Sequence, residues 1–428
     1  HNYLCSYSFI VMLKMNKRTT IICLIYFILS CSDREPLNPL DPNNPYTGGK
    51  PTGLKLLPIQ NTVKILWSPV DVNDLTLYAV YKGTTGSEMF KLWDVSPDST
   101  FFLDTNVSFY ETYTYAIEAH TETYSSVRSD TVQITVGPFN IYAADFWNSS
   151  IRMISWDGNH LITTKYVASP RQISLRKIDN RFWVANYYDR SLLLISTDLV
   201  DITSVVLPDH PLDLDMNQDQ GTAYVATRDG LIISVDMENE IFSERSLGLK
   251  LNWDTQSSFD HVNRGLWLTI PDSGMVLYIP IENETSTIKY FEGFNYPSAV
   301  AAHDNGWVAD RTGLHQIKPD GEIETIVTNI MVTDVSIDTL NRFCFYTGYN
   351  SSADSWIAGR INLNTLAHEI MLDDTYPYLY NIFSIPREGK AEFLVQQSYF
   401  WKIFRFNDDG TPMGELDGFN GRIAFQIY

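Results

Sequence analysis

A short apolar run returns seven times in the C-terminal two thirds of this chain, and that recurrence limits the folds open to it. The runs are Ile141-Tyr-Ala-Ala-Asp145, Phe182-Trp-Val-Ala-Asn186, Ala223-Tyr-Val-Ala-Thr227, Leu266-Trp-Leu-Thr-Ile270, Gly306-Trp-Val-Ala-Asp310, Phe343-Cys-Phe-Tyr-Thr347 and Glu392-Phe-Leu-Val-Gln396. Their starts lie 41, 41, 43, 40, 37 and 49 residues apart. A period in the forties, with every unit rich in strand formers, points to a β-propeller. Aromatic content agrees: Tyr 25, Phe 22 and Trp 10 favour an all-β protein.

Each repeat has the parts of one blade. A turn that often holds proline precedes the first strand, as at Ser169-Pro170, His210-Pro211 and Tyr296-Pro297. The apolar run is the second strand. The third ends in an Ile-polar-Asp turn or a relative of it, as in Ile154-Ser-Trp-Asp157-Gly158, Ile195-Ser-Thr-Asp198 and Ile317-Lys-Pro-Asp320-Gly321. Asp-Gly and Asn-rich turns make tight hairpin connections. A fourth strand follows, as at 202–207 and 323–327. The first repeat lacks its opening strand, and residues 421–428 form an orphan strand. Placing that strand innermost in the first blade joins the ring and removes open sheet edges. The count is seven blades, with six or eight as alternatives. The pattern resembles bacterial propellers of the NHL and YVTN types, a resemblance that speaks to fold and not to function.

At 428 residues the chain is long enough for two or more domains. Its formal charge is −20; without residues 1–30, which hold Lys14, Lys17 and Arg18 and no acidic residue, it is about −23. An acidic surface repels phosphate backbones, so nucleic acid is not an expected partner. Of the four cysteines, Cys5 and Cys23 fall in the N-terminal apolar region and Cys344 in a repeat strand, so no disulfide framework and no zinc spacing is present.

The N-terminal region reads as an export signal (1–30, with 1–14 as a possible upstream extension). From Met15 it is basic at Lys17 and Arg18, apolar from Ile21 to Leu29, then small at Ser30. The apolar stretch is short for a membrane span. Ile28-Leu29-Ser30-Cys31 resembles the bacterial lipobox, which implies that Cys31 is lipidated and anchors the chain to a membrane. Residues 31–50, rich in Pro, Asn, Asp and Gly, are expected to be a flexible tether. The resemblance implies a lipoprotein of the bacterial cell envelope. Ser32, where an inner-membrane retention signal would carry an acid, implies an outer-membrane location facing the periplasm or the exterior.

Residues 51–137 carry alternating runs at 63–67, 77–81, 101–103, 113–119 and 131–136, the pattern of a small β-sandwich. Trp67-Ser68-Pro69, Tyr78-Ala-Val-Tyr81-Lys82 and Tyr113, placed as a tyrosine corner, resemble a fibronectin type III module. Trp67 is expected in its core, and the module as a spacer. The expected fold is thus all-β: a fibronectin type III-like β-sandwich (51–137) followed by a seven-bladed β-propeller (138–428).

In a propeller, the loops that enter first strands and the loops joining strands two and three share one rim. That face gathers Trp147, Tyr187, Tyr188, Arg190, Asp310, Arg311, Tyr349, Tyr399 and Trp401, with Arg171 from a first-strand entry. Exposed rings beside hydrogen-bonding groups suit stacking on sugars or anchoring a peptide. The sequence has no His-Glu-x-x-His, no Gly-x-Ser-x-Gly and no P-loop. The leading expectation is therefore a binding protein for a protein, peptide or glycan ligand, without a cofactor. Gluconolactonase-type propellers hold a metal with carboxylates at the channel mouth. Resemblance to them makes Asp213, Asp254 and Asp334 candidate ligands for calcium or another divalent metal, and a metal-assisted hydrolase or lyase the alternative. A structural scaffold of an envelope assembly is the third reading. The acids from Asp213 to Asp219 alternate like a calcium loop, but Gln218 and Tyr224 stand where its Gly and Glu belong, so a strand and hairpin is expected there.

Overall fold

The computed structural model describes residues 38–428 apart from 60, 85, 237–239, 282–285, 374, 398, 419–420 and 428. The export signal, Cys31 and the start of the expected tether lie outside the described residues. Among the described residues, no helix is long and apolar enough to cross a membrane.

Chain contacts divide the protein into two compact units. In described residues, one unit comprises 38–54, Leu66–Phe102 and Thr114–Val132; the other comprises Lys55–Ile65, Leu103–Tyr113 and residues from Gln133 onward. The strands of the N-terminal third form two sheets. One has the order Phe90–Val95, Leu75–Thr84, Thr112–Thr121, Val132–Thr135; the other has the order Lys55–Ile59, Thr62–Leu66, Phe101–Asp104. Trp67 is buried and meets Tyr78 edge-on, 5.3 Å between ring centroids, as a core residue should. The hydroxyl of Tyr113 accepts the N–H of Ser108 at 2.9 Å, the bond expected of a tyrosine corner.

Residues 38–50 are the described part of the segment expected as a tether. They fold into consecutive turns in which Leu40 is 1% exposed. Asn38 Oδ1 accepts the N–H of Leu40, Asn44 Oδ1 accepts those of Tyr46 and Thr47, and Thr47 Oγ1 donates to the Pro39 carbonyl. The Asn, Asp and Pro that argued for disorder are here used as turn formers. Gly49 completes the knot: its φ is 75°, and a Cβ there would fall 2.7 Å from the Pro42 nitrogen.

From residue 139 onward, among the described residues, seven four-stranded antiparallel sheets follow one another. Six are built from four consecutive strands. The remaining sheet has the order Leu161–Tyr166, Ser150–Ile154, Phe139–Asp145, Arg422–Ile427, so its innermost strand comes from the C-terminal segment, as expected. Innermost strands of successive sheets touch one another from the first sheet to the last. Second strands such as Thr222–Thr227 and Gly265–Ile270 are buried along their whole length, because both faces of each sheet pack against a neighbour. That is why the seven runs read as continuous apolar stretches and not as alternating ones. Fourth strands such as Ile202–Val206 lie exposed at the outside.

Pro170 and Pro211 open their innermost strands. An innermost strand pairs on one side only, so a missing N–H costs it little. Several N–H groups on this inner edge are met by side chains of the preceding strand in the ring. Asp213 Oδ2 accepts the N–H and hydroxyl of Ser257, and Asp215 Oδ2 the N–H of Phe259. Ser258 Oγ accepts the N–H of Ala302, Asp334 Oδ2 that of Ile382, and Ser336 Oγ that of Ser384. Small polar side chains at these positions stitch one sheet to the next.

Candidate functional site

One end of the ring is made from the loops that enter first strands and the turns that join strands two and three. Around the channel mouth they enclose a cavity of about 430 Å³. The rings of Phe146, Trp147, Trp253, Tyr296 and Tyr380 line it, with Arg311 beside them. The floor is polar, with Asp213, Gln256, Asn381 and Arg422 among its residues. Gln256 and Arg422 also line a second cavity, of about 350 Å³, farther along the channel.

Most of the rings expected on the rim are brought together. Phe146, Tyr187, Tyr188 and Trp253 pack as one group, with Trp147 edge-on to Phe146 at 5.4 Å. Trp147 is 67% exposed and Tyr188 65%, so these rings are presented to solvent and not to the core. A second group joins Tyr349, Trp356, Tyr378, Tyr380 and Tyr399. Tyr399 stacks on Tyr378 at 5.2 Å and keeps 73% of its surface free. The Tyr349 hydroxyl donates to Asp354. Arg190 and Trp401 occupy left-handed positions in their turns, φ 48° and 56°. Ser149 and Asp354 fill the same kind of position in other turns, so this strain belongs to the turn and does not mark a site.

Arg171 supports Trp253. Its guanidinium lies 3.7 Å above the Trp253 ring and donates to the carbonyls of Leu212 and Trp253. Burial pushes its pKa down to about 10, with Asp213 acting against that fall. Arg311, exposed, lies 4.3 Å over Tyr296, whose hydroxyl donates to Asp254 at 2.5 Å and is thereby pushed up to about 12.

The three carboxylates considered for metal do not converge. Asp213 is 3% exposed and bonds Ser257 and Gln172; Asp334 is 2% exposed, holds Ile382 and lies 3.6 Å from Arg422. Burial pushes both carboxyls up, and Arg422 opposes it. Asp215 is pushed up to about 6 by burial, against hydrogen bonds from Phe259 and Met216. Among the described residues no group of three or more His, Cys, Asp or Glu is placed to hold a metal ion. The Asp213 to Asp219 segment is strand and hairpin.

Asp310 is also not presented to the rim. It is 1% exposed and accepts the N–H groups of Asn295, Thr312 and Gly313 and the Thr312 hydroxyl, with His315 Nε2 at 3.1 Å. Burial alone would raise its pKa; His315, Thr312 and Asn295 outweigh burial and hold it down to about 2. A carboxyl lowered on folding adds stability above its usual 3.8 and loses it as pH falls toward 2. Asp310→Asn is therefore expected to cost about 2 kcal/mol at pH 7, a difference that shrinks as unfolding is measured nearer pH 2. An equal cost at both pH values would contradict this.

No protein-family model matches the chain, and no curated protein matches it in sequence. Solved structures do. The WD40 repeats of RRP9 align over 60% of this chain and 83% of theirs, with a TM-score of 0.50 and 8% identity. The fold is a β-propeller. A catalytically inactive virginiamycin B lyase from Staphylococcus aureus, solved with quinupristin, covers 85% of this chain and 99% of its own at 14% identity, TM-score 0.45. A nidogen/laminin complex covers 67% and 98% at 11% identity, TM-score 0.44.

Within the propeller, several mouth residues were not singled out by sequence. Phe146 and Trp253 sit beside Trp147 and Asp254, which were. Tyr296 was noted only as the partner of Pro297. Arg422 carried no signal, because its surroundings exist only once the C-terminal strand has joined the ring.

Proposed function

We propose that this is a lipid-anchored protein of the bacterial cell envelope, held to the outer membrane through Cys31, whose propeller binds a protein, peptide or glycan. In this reading a fibronectin type III-like module over 51–137 is the spacer, and the propeller has seven blades. The observation that carries the reading is the set of exposed rings around the mouth cavity. Trp147, Tyr188 and Tyr399 leave most of their surface in water, and Trp147 lines the mouth cavity itself. The lipobox motif supports the anchor, and the strand pattern supports the spacer.

Trp147→Ala and Tyr188→Ala in the full chain are expected to weaken capture on peptide and glycan arrays about tenfold or more, with unchanged thermal unfolding, since both side chains are exposed. Capture that is indifferent to both variants defeats the assignment of this face. Incorporation of labelled palmitate, lost in Cys31→Ser, tests the anchor; no incorporation by the native chain defeats it.

A further inference from the structure

We infer that the mouth cavity is built for an uncharged oligosaccharide. This rests on the reading of the channel face as a binding surface and names the chemical class of its ligand.

Charge comes first. The guanidiniums of Arg171 and Arg422 face the carboxylates of Asp213 and Asp334, so the channel neck is balanced within the protein. Asp254 receives the Tyr296 hydroxyl, and Arg311 lies over the same ring. The mouth is thus lined by charges of both signs, Arg171, Arg311 and Arg422 with Asp213 and Asp254, and neither sign fills it alone. The chain as a whole is strongly acidic at −20, which works against a polyanionic ligand.

The lining then favours a flat ligand rich in hydroxyl groups. Here aliphatic lining is limited to Ala144, Leu212, Met331 and Val332, and the remainder is aromatic or polar. Aromatic rings beside the amides of Gln256 and Asn381 and the hydroxyls of Thr255, Ser298 and Thr333 match the two surfaces of a pyranose: its C–H faces lie on an aromatic ring, and its edge hydroxyls meet hydrogen-bonding groups. Gln256 is half-buried at the floor, and its side-chain amide has no partner among the described residues. An amide offers both donors and an acceptor, which a hydroxyl can use in either sense. A volume of about 430 Å³ falls at the small end of the range for small-molecule pockets and accommodates roughly two sugar rings.

The test uses the full chain and a panel of neutral gluco-, xylo-, manno- and galacto-oligosaccharides, with uronate oligosaccharides and acidic and neutral peptides as the other arms. Binding is read by calorimetry and tryptophan fluorescence. At least one neutral series is expected to bind and to perturb the fluorescence. Its affinity should change less than about twofold between about 50 and about 500 mM NaCl. Trp147→Ala and Gln256→Ala should each weaken it about tenfold, and Trp147→Tyr should restore most of the loss. Binding of uronates alone, with steep salt dependence, overturns the inference, as does Trp147-dependent binding of peptides alone; in both cases the channel face remains a binding surface. Neutral sugar binding that ignores Trp147→Ala and Gln256→Ala overturns the inference and the face assignment together. Failure of every neutral series to bind overturns the inference.

Discussion

A chain truncated after Gly421 is expected to lose most of the stability of its propeller. Residues Arg422–Ile427 supply the innermost strand of the first sheet, paired from Arg422 with Ala144 to Ile427 with Phe139. Without them the edge of Phe139–Asp145 is unpaired, the cluster formed by Phe139, Ile141, Leu394 and Ile403 loses Ile423, and the neck loses the only charge held against Asp334 among the described ion pairs. Burying an isoleucine contributes about 2–3 kcal/mol, and ladder hydrogen bonds contribute about 1 kcal/mol each. The sum, roughly 5 kcal/mol or more, rivals the whole stability of an ordinary domain. Urea unfolding should show an early, broadened transition or none. A synthetic peptide of residues 421–428 added in trans should restore part of the cooperativity. Gly421 should not be altered in that peptide, since a Cβ would meet the Ala144 carbonyl oxygen at 1.8 Å. A truncated chain that unfolds within about 1 kcal/mol of the full one would show that the strand is dispensable.

The second large effect is expected at Glu392. Its carboxylate lies between Arg405 and Arg387: Arg405 Nη2 donates to Oε2 at 2.5 Å and Arg387 Nη1 to Oε1 at 3.0 Å. Glu392 and Arg405 are both 1% exposed. Arg405 also donates to the Trp156 carbonyl at 2.8 Å and lies over the Trp156 and Phe139 rings, so this ion pair joins the last sheet to the first. Glu392→Ala leaves a buried guanidinium without its counter-charge, at a cost of about 3–5 kcal/mol. Arg387, more exposed, can turn to water. Glu392→Leu combined with Arg405→Met should be much less damaging than Glu392→Ala, because the loss comes from stranding a charge and not from the worth of the pair. Equal damage in both variants would refute that account.

Much of this architecture was legible because repetition averages out local ambiguity. One apolar run does not distinguish a strand from a helix, but seven runs at a steady period do. The same register placed Trp147, Tyr187, Tyr188 and Tyr399 on one rim, since hairpin order fixes which turns share an end. What the register does not carry is direction. Asp310 stands in a rim turn by position, yet its side chain folds back onto the backbone of that turn. Asp213 and Asp334 read as ligands only through the resemblance to gluconolactonase-type propellers. Their use as acceptors for the next strand depends on neighbours 44 and 48 positions away. Over residues 38–50, composition alone does not separate a loose chain from one tied up by its own Asn and Thr side chains.

Joining the ring through a strand from the C-terminal segment also has a kinetic meaning. Ala143 and Ile423 are neighbours in the first sheet but stand 280 positions apart in the chain. While the segments between them fold, the first sheet keeps an open edge that invites pairing with other molecules. Its last hydrogen bonds form only after the longest loop closure in the propeller, so assembly should be slow relative to that of any single sheet. A chain of this design therefore passes through its most association-prone stage late, when nearly all of its other sheets are already in place.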